Sequence, residues 1–283
     1  MNLAVSTEVK GVKMSDEEFI NEAKTIIDKA QEKGIILRIL GALAIHIHSE
    51  HTPRCLELHK SLGRLGEKGP TFTDLDLIAY KKQRKKVKEF FEKDLKFIPD
   101  RRINTLFGGK RYIFYHPKGA YYVDIFFSKL EFSHDVDFGE APQKGRLELD
   151  YPTITLADIV LEKTQIHDIN LKDIIDLIVL FLGHPVEKEE KKEAINGKYI
   201  AEVLANDWGF WYDATNNLNK VKSFAEKFRN ENKITEEEYG TVVERVDQLL
   251  KMIEEEPKTK AWQKRAKKGT KKIWYRPVEE VIR

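Results

Sequence analysis

The sequence predicts an α+β protein: a mixed β-sheet flanked by helices over residues 1–150, a helical region over 151–256 and a basic tail over 257–283. Three observations carry this. Short apolar runs bounded by glycine or proline alternate with amphipathic stretches in the first half. After residue 150 the apolar residues follow helical spacing only. Residues 257–276 hold nine lysines and arginines and no acid.

At 283 residues the chain suits one large domain or two modest ones. Its hydrophobic fraction of 41% is enough for a core, and 34% of its residues are charged, against an average of about a quarter. The formal net charge is only +2, so overall charge does not announce a nucleic-acid binder. Cys55 is the single cysteine, which excludes an intramolecular disulfide and fits a reducing compartment. Its context, Thr-Pro-Arg-Cys-Leu-Glu, matches no nucleophile signature, so Cys55 reads as a bystander thiol. The longest apolar run, 174–182, is broken by Asp176 and is too short to span a bilayer. The N-terminus lacks a charged-then-apolar leader. The expectation is a cytoplasmic protein with no membrane partner, in which residues 1–13 form a loose extension.

Ser15 and Glu18 make a capping box that opens a helix to about residue 33, with Phe19, Ala23, Ile26, Ile27 and Ala30 on one face and Gly34 as the stop. Residues 35–40 read as a buried strand, and 42–48 as a second helix. Two prolines and three glycines make 49–70 a loop with at most a short helix. A strand over 71–80 and a helix over 81–95 follow. Residues 97–107 read as extended. The runs 111–115 and 120–127 form a hairpin, with His116-Pro117-Lys118-Gly119 as a type I turn. A polar connection over 128–150 precedes helices at about 156–167, 171–182, 187–205, 213–231 and 235–254.

Asp74 and Asp76, in Thr73-Asp74-Leu75-Asp76-Leu77, point to the same face of a strand because side chains alternate. Two carboxylates side by side repel, and one takes up a proton unless a cation relieves them. Such a pair suits a hard divalent metal, although a solvated strand edge is the plainer reading of the pair alone. Asp124 sits inside the apolar strand Tyr122-Val123-Asp124-Ile125-Phe126, where an unpaired acid is costly. If the strands are neighbours, three carboxylates converge and can hold two magnesium ions against nucleotide phosphates. Gly41 lies at a strand-to-helix turn where it and Ala42 can bring backbone amides to a phosphate, although a lone glycine also fits an ordinary tight turn.

In order, Leu40-Gly41-Ala42-Leu43-Ala44, Thr73-Asp74-Leu75-Asp76-Leu77 and Val123-Asp124-Ile125 resemble the nucleotidyltransferase superfamily of the polymerase-beta type. The later segments, 156–163 and 172–177, are similar to its AbiEii-like toxin branch, over roughly residues 35–182 in all. The resemblance implies a nucleotidyltransferase-like sheet and magnesium held by Asp74, Asp76 and Asp124. Gly41 and Ala42 would lie at the nucleotide, Lys163 would touch phosphates, and Asp173 or Asp176 would assist. Alanine replaces the usual glycine or serine at 42, and 49–70 reads as an insertion. No clear arginine follows Lys163; His167 and Asp168 occupy that region.

The basic runs at 81–88 and 264–272, the latter flanked by Trp262, Trp274 and Tyr275, suit a nucleic acid or equally a solvated surface. Trp208, Phe210, Trp211 and Tyr212 read as packing between helices. His46, His48, His51 and His59 fit no zinc spacing and read as structural or surface groups. The functional expectation is a magnesium-dependent nucleotidyltransferase moving a nucleoside monophosphate from an NTP to tRNA, a protein or a small molecule. The alternatives are a nucleotide-, RNA- or protein-binding module without turnover, and interfaces within a toxin–antitoxin complex.

Overall fold

The capping box forms as its residue types require: the Ser15 hydroxyl accepts from Glu18 N at 3.2 Å, and the Glu18 carboxylate accepts from Ser15 N at 2.8 Å. Helix α1 (Asp16–Glu32) then buries the five apolar residues that share its inner face. The computed structural model describes residues 14–63 and 72–278; the expected extension at 1–13 lies outside the described residues, as do 64–71 and 279–283.

Strand β1 (Leu37–Ile39) and helix α2 (Gly41–His48) follow, and α3 (Pro53–Ser61) is the short helix within the 49–70 segment, with proline in its first turn. Next come β2 (Asp74–Ala79) and α4 (Arg84–Glu89), the latter entered through a 3₁₀ turn and left through a π turn at 90–94. Residues 97–107 are not one extended stretch. They divide into β3 (Ile98–Pro99) and α5 (Arg101–Leu106), because the Asp100 carboxylate accepts from Ile103 N at 2.9 Å and caps a helix there. Strands β4 (Arg111–Tyr115) and β5 (Tyr122–Phe127) form the expected hairpin, and Gly119 N donates to His116 O at 2.8 Å across its turn.

These five strands make one mixed sheet in the order β1-β2-β5-β4-β3, flanked by helices. Only the β2–β5 pairing is parallel. Its register sets Asp74 opposite Tyr122 and Asp76 opposite Asp124.

The polar connection is more ordered than its composition suggests, with β6 (Lys129–Glu131) paired to β7 (Asp135–Asp137). Residues 152–154 then run beside β1: Ile39 N donates to Pro152 O and Ile154 N to Ile39 O, each at 3.0 Å. That contact delivers the chain into α6 (Leu156–Thr164), every residue of which is buried. Helix α7 (Leu171–Gly183) follows. The helix expected over 187–205 is only α8 (Gly197–Leu204), preceded by the parallel pair β8 (Val186–Glu187) and β9 (Ile195–Asn196). The charged run 187–193 has no apolar face to bury, and the Asn196 side chain, accepting from Tyr199 N at 3.0 Å, sets the helix start. Helix α9 (Trp208–Asn230) starts earlier than expected, since Asp207 caps it, and α10 (Glu236–Glu255) packs on it and on α7 and α8.

The basic tail has structure of its own. Helix α11 (Lys260–Ala266) leads to a segment that returns to the body, where Arg276 N donates to Ser133 O at 3.0 Å and the Trp274 indole donates to Asp213 at 3.0 Å. Buried Asp213 also accepts from His134 at 2.7 Å and from His167 at 2.9 Å. Burial alone would raise the Asp213 pKa, but the bonds from His134, Trp274 and His167 hold it below the usual carboxylate value. Stability from a depressed carboxylate is complete above its unfolded pKa and lost as pH falls through the folded one. Asp213→Asn should therefore lose about 1–3 kcal/mol at pH 7. Urea unfolding from pH 7 down to 3 checks this: the gap from wild type should narrow toward the acid end.

Candidate active site

The alternation of β2 puts Asp74 and Asp76 on one face, and the parallel register puts Asp124 and Tyr122 of β5 on that same face. All three aspartates therefore meet on one side of the sheet. Asp74 accepts from the Tyr122 hydroxyl at 2.5 Å and from Thr73 at 2.9 Å. Asp76 lies at the floor of a cleft of about 330 Å³, whose walls include Leu40, Ala42, Leu43, Asp74, Lys163 and Asp173. Burial pushes its carboxyl well above the usual range, and the charges of Asp74, Asp124 and Glu162 push it further, with Lys163 opposing them. Asp124 is buried and gripped at both oxygens by Arg111, whose Nε donates at 2.6 Å.

Gly41 stands at the turn from β1 into α2 with φ of +71°, a conformation that glycine enters without steric cost. A Cβ there would sit 3.0 Å from an Asp76 carboxylate oxygen. The glycine thus lets the first turn of α2 approach the acidic floor. Its amide donates to Glu162 at 3.1 Å, while Ala42 and Leu43 from the same turn line the cleft. Leu40 at the cap offers no side-chain acceptor. A helix start with this exposure suits an anion.

The opposite wall comes from α6 and α7. Lys163 is buried, with its ammonium 2.8 Å from Asp173 and 2.9 Å from Asp176. Asp173 lines the cleft, whereas Asp176 lies beneath it and is fully buried. The site residues expected from the sequence thus fall in one neighbourhood, with Gly41, Asp124 and Asp176 behind the lining.

Four participants were not singled out. Glu162 bonds the Gly41 amide and is pushed up to about 7, burial being the main cause, with Lys163 and the amide pulling it back. Arg111 was legible in principle: given the turn at 116–119, the hairpin register sets Arg111 opposite Phe126 and hence diagonal to Asp124. Tyr122 becomes the partner of Asp74 only through the parallel pairing of β2 with β5, which the turn does not reveal. His59, read as a structural or surface group, reaches from α3 with its Nε2 2.8 Å from Asp176 Oδ1, which accepts from it. No local signal marks that contact.

Comparison of the chain with family models, with curated proteins and with solved structures finds no match.

Among the described residues, no three or more histidine, cysteine, aspartate or glutamate side chains are set as a ready metal cage. The donor set nonetheless fits a hard divalent cation. Asp74 and Asp76 share a face, and the carboxyl of Asp76 is forced up first by burial and then by neighbouring carboxylates, a charge crowding that a bound cation would relieve. Asp124 joins them only at the expense of Arg111.

The glycine argument yields a direct comparison. Gly34 also has positive φ, at +68°, but a Cβ there meets nothing within 4 Å. Gly34→Ala should cost the left-handed penalty alone, about 1–2 kcal/mol. Gly41→Ala should cost more, because it also displaces Asp76. Urea midpoints of the two variants measure the difference, and equal losses would remove the close approach from the account.

Proposed function

We propose that the chain is a magnesium-dependent nucleotidyltransferase that moves a nucleoside monophosphate from an NTP to an acceptor hydroxyl. The observation that carries the reading is the β2–β5 register, which gathers Asp74, Asp76 and Asp124 beside the Gly41 turn and Lys163. Magnesium, when bound, supplies positive charge that activates the attacking oxygen and steadies the leaving pyrophosphate. Asp74 and Asp76 would hold it, with Asp124 as the third ligand.

The chain's own residues do the rest. The first turn of α2 presents Ala42 and Leu43 to the cleft and orients the triphosphate by its amides and helix dipole. Lys163 faces the phosphates from the opposite wall as a compact positive charge. Asp124 accepts the proton of the acceptor hydroxyl once Arg111 yields an oxygen. The resemblance to the AbiEii-like branch agrees with this set and leaves tRNA, a protein or a small molecule as the acceptor.

A second reading is a binding module with the same fold and no turnover. Two contacts favour it: Arg111 occupies both oxygens of Asp124, and Glu162 occupies the amide of Gly41.

Incubation with labelled NTPs, magnesium, and RNA or lysate separates the two. The enzyme reading predicts label transfer that falls to background in Asp74→Ala and Asp76→Ala, with folding retained by circular dichroism. Nucleotide binding with no label on any acceptor would establish the module instead.

A further inference from the structure

Helix α3 belongs to the segment that departs from the family pattern, yet it packs against α7, a helix that helps wall the cleft. His59 and Asp176 are both buried, and His59 Nε2 lies 2.8 Å from Asp176 Oδ1. The other oxygen, Asp176 Oδ2, lies 2.9 Å from the Lys163 ammonium. Asp176 is therefore a bridge with one named partner on each oxygen: a histidine from α3 and the lysine that borders the cleft.

The physical consequence follows from burial. A carboxylate removed from water needs a partner on each oxygen, and losing one leaves an uncompensated acceptor. Without His59, Asp176 loses the donor at Oδ1, and its charge would either be neutralised by a proton or pull the Lys163 ammonium out of its present position. Both changes weaken the balance between Asp176 and Asp173, which lies 2.8 Å from the same ammonium and lines the cleft. His59 has room to do this because α3 packs against α7, where the buried Cys55 thiol also faces Val179 O.

We propose that His59 is a positioning residue: acting through Asp176, it holds the Lys163 ammonium at the wall of the cleft, ready for a phosphate group. The phosphate part rests on the nucleotidyltransferase reading; the positioning part does not.

The test is chosen to separate them. The side-chain ammonium of Lys163 is followed by nitrogen-15 lysine NMR on the full chain, assigned with Lys163→Arg. Affinity for inorganic pyrophosphate is measured by calorimetry on the same samples. His59→Leu removes the bond to Asp176, and His59→Gln keeps an N–H donor at similar reach; thermal unfolding verifies that both are folded. His59→Leu should shift the Lys163 resonance and weaken pyrophosphate about tenfold, the size typical of losing a group that orients a ligand-binding side chain. His59→Gln should restore the resonance and most of the affinity. A Lys163 resonance unchanged in His59→Leu overturns the proposal. A shifted resonance in a protein that binds no pyrophosphate even as wild type upholds the positioning and sinks the nucleotide reading.

Discussion

The parallel pairing of β2 with β5 is the constraint on which the rest of the site depends. Elsewhere in the sheet the neighbours are antiparallel. Here the chain leaves β2, builds two further strands and returns to lay β5 alongside it. That return puts Asp124 level with Asp76 and gathers like charge on one face of the sheet. Leu75, Leu77, Val123 and Ile125 fill the other face and are fully buried, so the register cannot slip by one residue without sending carboxylates into the core.

Charge crowding of this kind has to be balanced, and the fold balances it from three directions. Arg111 enters from the next strand and grips Asp124. Lys163 enters from α6 and opposes the charge around Asp76. The Gly41 turn enters from β1 and brings the positive end of α2 near. None of the three cancels the excess at Asp76, whose carboxyl stays above the ordinary range. An acidic floor crowded with like charge, beside a helix start and a lysine, is an arrangement that a metal–phosphate pair would complete from outside.

The legible and illegible parts of this fold divide along physical lines. The α1 capping box, the Asp74/Asp76 pair and the hairpin turn are local, and each was readable from a few adjacent residues. The charged run at 187–193 misled because glutamate and lysine favour helices, whereas a helix without an apolar face gains nothing by packing. Residues 97–107 read as extended, and the Asp100 cap decided otherwise for their second half. The placement of Asp124 beside Asp76 required knowing which strands pair, and no residue near either one encodes it. The partners of buried charges were hidden for the same reason: Glu162 meets Gly41, and His59 meets Asp176, only after the helices have packed.

The central claim is that the crowded carboxylates are a seat for a divalent ion beneath a nucleotide. A crystal soaked with manganese and a non-hydrolysable NTP, examined by anomalous diffraction, tests it most directly. The account predicts manganese against Asp74 and Asp76, with the triphosphate running between the first turn of α2 and Lys163. A fully occupied nucleotide elsewhere on the molecule, with no metal at the aspartates, would contradict it.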